Sequence, residues 1–173
     1  APRCWLKREA AQAQPRVDAA LREQHMRLRV FDCYRPARAV AHFVRWAADL
    51  GDQRTKAAHY PDLDKSKLLG EYIAPVSGHS RGGTVDLTVL KCDARGANCK
   101  PLDMGTDFDY FGTRANTDSP EVSAGQRANR QVLLKAMDAQ GFSNYPMEWW
   151  HYSFRFQPPL EILYDVPLTG PRN

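Results

Sequence analysis

The sequence contains no apolar run that approaches the ~20 residues of a transmembrane helix, so membrane insertion is not expected. It also contains no low-complexity tract and no internal repeat, which argues against disordered and repeat architectures. No dense basic stripe is present: 24 lysines and arginines are interleaved with 20 acidic residues, so the net charge of +4 does not predict a nucleic-acid partner. The length of 173 residues predicts one globular domain over residues 1–173.

None of the cysteines belongs to a CxxC pair. Cys92 and Cys99 flank a polar turn and would close a short disulfide loop, which would leave Cys4 and Cys33 as a second pair, although other pairings are open. The even number of cysteines favours an oxidising compartment, so we expect a periplasmic or exported protein, with a cytoplasmic protein carrying free thiols as the alternative. The first residue is Ala1 rather than Met, which fits a removed signal peptide or a trimmed N-terminus.

Hydrophobic patterns predict helices and strands in roughly equal number. The helices are expected at 7–25, 36–47 and 122–140, and the strands at 28–32, 85–89 and 150–156. Pro15 is expected to kink the first helix or to set its start near Gln14. Residues 51–78 and 100–120 are predicted to be irregular, and a loop as long as the first is usually functional. Together these elements predict an α+β domain with a central, mainly antiparallel sheet flanked by helices.

A first candidate site lies around the glycine-rich segment 77–83. His79 lies in this segment, and Asp86 lies on the polar face of the strand that follows, between Val85 and Leu87. Both polar side chains could point into one cleft, and a shielded carboxylate needs a partner. The alternative is a structural aspartate beside a surface histidine.

A second candidate site lies in the segment from Glu148 to His151. His151 is expected on the strand face opposite the aromatic stripe that begins at Trp150, so it would point away from the core. Residues three apart in a straight strand point to opposite faces, so a turn at Pro146 must bend the chain if Glu148 and His151 serve one site. The alternative is an ordinary strand start with a surface histidine.

Together the two segments predict a metal centre in a cleft on the sheet, with one zinc ion per chain. His79, Asp86 and His151 would be the ligands, and water would take the fourth position. Glu148 would take a proton from that water, whose pKa zinc lowers to about 7, and pass it to the leaving amine. Arg35, at the predicted strand-to-helix turn, would stabilise the negative charge of the transition state; a salt-bridged arginine at a helix start is the alternative.

The remaining histidines are not assigned to a metal. His42 lies among helix residues and is expected to be partly buried and hydrogen-bonded. His25 follows a helix end, where the helix dipole favours a cation. His59 is expected at the surface of a loop.

Several motifs, in the same order, resemble those of the D-alanyl-D-alanine dipeptidases of the VanX type. These belong to the zinc peptidases related to D,D-carboxypeptidases and hedgehog domains. The resemblance covers residues 6–167, and its motifs lie at 31–36 with 39–43, 77–87, 103–109 and 148–152. It implies the same roles as above: the three ligands bind zinc, Glu148 transfers the proton, and Arg35 stabilises the transition state. It further implies that Asp109 receives the substrate's ammonium group, which agrees with the charge of a carboxylate, and that Ser77 lines the substrate pocket.

The activity that the resemblance implies is hydrolysis of a small-molecule dipeptide, D-Ala-D-Ala, to D-alanine. A D,D-carboxypeptidase or endopeptidase that trims longer peptidoglycan peptides is one alternative. Family members carry a further N-terminal segment that helps to close the pocket, so its absence here predicts a more open site or a truncated chain. A non-catalytic, zinc-stabilised binding module is the other alternative, and the presence of Glu148 and Arg35 argues against it. The sequence does not choose between vancomycin resistance, cell-wall recycling and use of D-alanine as a nutrient, and it does not indicate the oligomeric state.

Overall fold

The structure, a computed structural model, describes residues 4–168. Its helices are α1 (Arg8–Arg22), α2 (Ala37–Ala48), α3 (Lys56–His59), α4 (Leu68–Glu71) and α5 (Ala124–Asp138), of which α3 and α4 are single turns. Its strands are β1 (Met26–Asp32), β2 (Thr84–Lys91), β3 (Lys100–Pro101), β4 (Phe142–Asn144) and β5 (His151–Phe154). Short 3-10 turns occupy Lys65–Lys67, Gly78–Arg81 and Thr113–Ala115. The predicted α+β class is confirmed.

One open antiparallel sheet contains all of these strands. Its order is β1-β2-β5-β4, and β3 pairs with the far end of β2. The register sets Asp86 of β2 directly opposite His151 of β5, and opposite Asp32 of β1 beyond a bulge. Because opposed residues of antiparallel strands point to the same face, this register brings the Asp86 and His151 side chains together.

Helix α1 runs through Pro15, so of the two effects expected of this proline, a kink or a start near Gln14, the later start is wrong. The helix begins at Arg8, and its buried residues share one face on both sides of the proline. These residues are Ala10, Ala13, Val17 and Leu21. Their burial in the core under the sheet offsets the backbone hydrogen bond that a proline inside a helix removes.

Helix α5 packs beside α1, and its ends are set by residues outside the helix. Ser123 caps its start: the Ser123 hydroxyl accepts from the Gln126 N–H, and the Gln126 side chain accepts from the Ser123 N–H. Gly141 follows the helix end with φ of 90°, a left-handed conformation that costs glycine little. The prediction of this helix is confirmed, with each end two residues shorter.

The segment 51–78 is more regular than predicted. It contains α3, α4 and the 3-10 turn Lys65–Lys67, and a second 3-10 turn begins at its last residue, Gly78. Tyr60, Leu68 and Ile73 of this segment pack with Ala47 of α2 in a second, smaller apolar cluster. The segment 100–120, also predicted to be irregular, contains β3 and the turn Thr113–Ala115. Such elements are too short to show a hydrophobic period, so the sequence pattern did not reveal them.

Two disulfide bonds join Cys4 to Cys33 and Cys92 to Cys99, which confirms the expected pairing. The first ties the segment before α1 to the end of β1, and the second closes the turn between β2 and β3.

Among residues 4–168, no helix has both the length and the apolar character needed to cross a bilayer.

Candidate functional site

Three side chains suited to metal binding converge on one face of the sheet. Asp86 comes from β2, His151 from the paired strand β5, and His79 from the 3-10 turn that leads into β2. His79 Nε2 lies 3.1 Å from Asp86 Oδ2, and His151 Nδ1 lies 3.0 Å from Asp86 Oδ1. One ligand atom from each residue lies within 4.8 Å of the others, which is close enough to share one ion.

Buried atoms of this group lack partners. Although the two N···O contacts given above are short, neither His79 Nε2 nor Asp86 Oδ1 forms a hydrogen bond within residues 4–168. The side chains of His79 and Asp86 are only 2% and 3% exposed, so water does not readily replace the missing partners. A cation would satisfy both atoms, and two imidazoles with one carboxylate are a donor set that suits zinc and related metals. The residues therefore fit a metal ion.

His79 is oriented by a backbone carbonyl. Its Nδ1 lies 2.6 Å from the carbonyl oxygen of Cys33, and because that oxygen only accepts, Nδ1 carries the proton. In the neutral ring, Nε2 then has the lone pair and faces Asp86. A hydrogen bond of this kind fixes the ring orientation of a ligand histidine. Cys33 is itself joined to Cys4, so a disulfide-bonded segment supports this side chain.

Asp86 is ionised in this setting. Burial opposes ionisation, but the imidazoles of His79 and His151 outweigh burial and hold the pKa of Asp86 well below its ordinary value. A ligand carboxylate must be deprotonated to bind a metal, so the charge state agrees with the proposed ligand set.

Glu148 reaches the same group because the chain bends before β5. The Glu148 N–H donates to the Tyr145 carbonyl at 3.0 Å, and the His151 N–H donates to the Glu148 carbonyl at 3.2 Å. These bonds form the turn that contains Pro146, and the bend expected there is confirmed. Glu148 Oε2 lies 3.4 Å from His151 Nδ1, at the edge of the ligand group.

The Glu148 carboxyl group titrates near neutral pH. Burial raises its pKa to about 7; the charges of Asp86 and Asp109 act in the same direction, and those of His151 and Arg35 act against it. A carboxyl group with this pKa can both take up and return a proton at neutral pH.

Arg35 lies between β1 and α2, at the strand-to-helix turn where it was predicted. Its Nε and Nη2 donate to Asp32 Oδ2 at 2.9 and 2.6 Å, and Nη2 lies 3.9 Å from Asp86 Oδ2. The guanidinium also lies over the Phe43 ring, 5.0 Å from its centroid. Arg35 is thus salt-bridged, as the alternative interpretation expected, and it also faces the ligand group.

Asp109 and Ser77 complete the predicted set. Burial raises the pKa of Asp109 to about 6, Asp86 adds to this effect, and Arg35 opposes it. Ser77 Oγ accepts from the His79 N–H at 3.3 Å and so caps the turn that carries His79. All seven predicted site residues line one cavity of about 490 Å³, although the roles assigned to them stay predictions.

Two further histidines line the same cavity, and the predictions for both were wrong. His42, in α2, is exposed rather than partly buried. His59 is half-buried at the end of α3, and its Nδ1 lies 3.0 Å from the backbone oxygen of Asp109. The only sequence signal for His59 was the length of the segment 51–78.

Comparisons with known proteins agree with this site. The family model described as D-ala-D-ala dipeptidase (Peptidase_M15) matches residues 1–167 of the chain. The chain belongs to this family. As a member of the D-ala-D-ala dipeptidase family it is a peptidase, and the family's metallopeptidase character agrees with the group formed by His79, Asp86 and His151.

Similar proteins include D-alanyl-D-alanine dipeptidases of three bacteria. The protein of Enterococcus faecium is 35% identical over 142 residues, which cover 82% of this chain and 68% of that protein. The Streptomyces coelicolor protein is 38% identical over 143 residues, which cover 82% of this chain and 69% of that protein. The Escherichia coli protein is 30% identical over 166 residues, which cover 94% of this chain and 73% of that protein. The family predicted from the motifs is thereby confirmed.

Proposed function

We propose that this chain is a zinc-dependent dipeptidase that hydrolyses D-Ala-D-Ala to D-alanine. The observation that carries the proposal is one cavity that contains three side chains able to hold a metal ion, a carboxyl group whose pKa burial raises to about 7, and a separate, half-buried carboxylate. Hydrolysis of an unblocked dipeptide needs an electrophile for the carbonyl, a proton carrier and a counter-charge for the ammonium group. The names of the similar proteins support this substrate.

His79, Asp86 and His151 would hold one zinc ion per chain. When bound, zinc supplies Lewis-acid chemistry, which polarises the scissile carbonyl and lowers the pKa of water to about 7. The protein contributes a prearranged donor set: the β2–β5 register fixes two donors, and the carbonyl of Cys33 fixes the third.

Glu148 would accept a proton from the attacking water and donate it to the nitrogen of the leaving amine. Its pKa near 7 makes both transfers accessible at neutral pH, and a positioned acid/base of this kind contributes roughly 10²–10⁴-fold to the rate. The turn that contains Pro146 keeps Glu148 beside His151 without adding it to the group of close donor atoms.

Arg35 would stabilise the negative charge that develops on the carbonyl oxygen in the transition state. Its guanidinium is already held by Asp32 and by the Phe43 ring, so little reorganisation is needed when that charge appears. A charge that is held in place before the reaction stabilises the transition state without a cost of reorganisation.

Asp109 would bind the ammonium group of the dipeptide. Its pKa of about 6 leaves it mainly ionised at neutral pH, and burial strengthens its attraction for a cation. The Ser77 hydroxyl accepts from the His79 N–H and keeps its own hydrogen, which it can donate to the substrate.

The direct test is release of D-alanine from D-Ala-D-Ala by the zinc-loaded protein. We expect turnover by the wild type and a loss of roughly a thousandfold in kcat for E148Q, with unchanged zinc content. The matched control is E71Q, because Glu71 lines the same cavity but is exposed and is assigned no role. Absence of D-alanine release by the wild type would contradict the substrate, and full activity of E148Q would contradict the role of Glu148.

A D,D-carboxypeptidase or endopeptidase that acts on longer peptidoglycan peptides is the second candidate. The cavity volume of about 490 Å³ favours it, because cavities of about 300–1,000 Å³ hold ligands larger than two alanine residues. The ratio of kcat/KM for D-Ala-D-Ala and for a pentapeptide that ends in D-Ala-D-Ala decides between them. A ratio well above one supports the dipeptidase, and a ratio well below one supports the second candidate.

We also propose that the protein works in an oxidising compartment, in the periplasm or outside the cell. Two disulfide bonds within one chain support this location, because cytosolic reductants normally keep thiols reduced. Protein from its native cells, trapped at once with an alkylating agent, should bind the reagent only after reduction. Alkylation of the cysteines without prior reduction would indicate a cytoplasmic protein.

A further inference from the structure

The backbone of Asp109 has a conformation that it does not adopt by preference. Its φ is 59°, in the left-handed region, which is uncommon for residues other than glycine, although aspartate tolerates it better than most. The residue is also partly buried, and burial raises the pKa of its carboxyl group. A charged side chain on such a backbone keeps one direction only if neighbouring residues hold it there.

Residues Asp109, Tyr110 and Phe111 are held by a short stretch at and after α3. The His59 ring Nδ1 lies 3.0 Å from the Asp109 backbone oxygen. The Phe111 N–H donates to the His59 backbone oxygen at 2.7 Å. The Tyr110 hydroxyl donates to Asp62 Oδ2 at 2.7 Å. Each of the three consecutive residues therefore has its own hydrogen bond to residues 59–62.

The His59 ring provides the bond that acts on Asp109 itself. A carbonyl oxygen only accepts, so Nδ1 of His59 donates. The other two bonds use the His59 backbone and the Asp62 side chain, so they do not depend on which side chain stands at position 59. A substitution of His59 can thus remove one contact and leave the rest of this attachment in place.

We propose that His59 is a positioning residue: it holds the peptide of Asp109 so that the Asp109 carboxylate faces the substrate's ammonium group. This inference rests on the proposed dipeptidase function and adds to it a residue of the segment 51–78. His59 lines the cavity with Asp109, and its ring is half-buried, so it is not a surface residue that meets Asp109 by chance. It contributes to substrate affinity through Asp109 and takes no part in the chemical step.

The test compares two variants at position 59. H59A removes the donor, whereas H59N keeps a donor on the atom that follows Cγ, as Nδ1 does. We expect H59A to raise KM for D-Ala-D-Ala about tenfold, with kcat within about twofold of the wild type. H59N should return KM to within about threefold of the wild type. The control is H42A, since His42 lines the same cavity and is exposed; its KM should not change.

A double substitution separates positioning from a general structural role. In the D109N background, H59A should raise KM no further, because the carboxylate that His59 positions is already gone. If H59A lowers kcat and leaves KM unchanged, if H59N does not rescue, or if the two effects multiply, the inference is wrong. Should H59A fail to fold, H59F, which keeps a ring at position 59 but has no donor, and the double substitution H59F/D109N give the same comparison.

The wild type is measured first, and this keeps the two proposals apart. No turnover of D-Ala-D-Ala by the zinc-loaded wild type contradicts the proposed function, whatever the His59 variants do. Normal turnover by the wild type with an unchanged KM in H59A contradicts the role of His59 alone.

Discussion

The cavity has two walls that are built in different ways. On the sheet wall, Asp86 and His151 lie opposite each other on paired strands, and backbone hydrogen bonds of neighbouring residues, such as Leu87 N–H to the Trp150 carbonyl, hold the strands together. The loop wall is formed by residues 55–78 and 109–111, in which helical turns of three or four residues alternate with irregular chain. There, Asp109 is held by a side chain, His59, rather than by a strand ladder.

The difference separates two tasks. Metal ligands must keep their positions closely, and sites on strands hold side chains more precisely than sites on loops. Substrate recognition can use loops, which change more easily without loss of the core. Substitutions on the sheet wall should therefore reduce metal binding and turnover, and substitutions on the loop wall should mainly change KM.

The largest effect is expected on the sheet wall, for D86N. This change keeps the size of the side chain but removes the charge that lies between His79 and His151. We expect a loss of at least roughly a thousandfold in kcat/KM and weaker zinc binding. Zinc content after dialysis and D-alanine release check this result. D107N is the matched control, because Asp107 is exposed and does not line this cavity; if it had the same effect, the metal site would lie elsewhere.

A smaller effect of a different kind is expected on the loop wall, for D109N. Loss of the carboxylate should raise KM for D-Ala-D-Ala roughly a hundredfold, since an ion pair in a partly buried site is lost, while zinc content stays at the wild-type level. Steady-state kinetics and metal analysis on the same sample test both parts. A loss of zinc in D109N would show that the two walls are not separate in function.

The pH dependence of KM should report on the loop wall. Asp109 has a pKa of about 6, so below pH 6 it becomes neutral and loses its attraction for the ammonium group. We expect KM to rise about tenfold for each pH unit below 6 and to level off above it. In D109N this rise should be absent, because the amide does not titrate. A rise that persists in D109N would assign it to another group.

The smallest difference is expected between the two disulfides. The loop-entropy model gives about 3.6 kcal/mol of stabilisation for Cys4–Cys33 and about 2.4 kcal/mol for Cys92–Cys99, from loops of 29 and 7 residues. Removing Cys4–Cys33 (C4S/C33S) should also weaken zinc binding about tenfold, because the Cys33 carbonyl orients His79. C92S/C99S serves as the control. Denaturant unfolding measures the stability difference, and zinc titration measures the difference in affinity. Equal zinc affinity in the two variants would show that the Cys4–Cys33 bond does not support His79.

The sheet wall could be predicted from the sequence because strand alternation shows in the residue pattern. The faces of Asp86 and His151 followed from the apolar residues beside them, and a turn was required near Pro146. The register that places the two side chains together is a long-range property, and the structure supplies it. The strand β4, of only three residues, was missed because so short a run shows no alternation.

The loop wall could be predicted only in part. Asp109 was identified through family resemblance, since nothing in its neighbours points to a buried carboxylate. His59 was missed because its partner is 50 residues away and is a backbone atom, which leaves no trace in residue type. Pro15 shows the opposite error: a strong local rule predicted either a kink or a helix start there, and the start was wrong because burial of one continuous apolar face outweighed it.

The pairing of Asp86 with His151 also limits how the length of this protein can change. A shift of one residue in the β2–β5 register would turn either ligand toward the core and bring a hydrophobic neighbour, Val85 or Trp150, into the cavity. A single insertion or deletion inside these strands should therefore abolish the site, even where the sheet still forms. The loop wall contains no strand register, so length variants that keep activity should map to the segment 51–78, outside the residues 59–62 that hold Asp109.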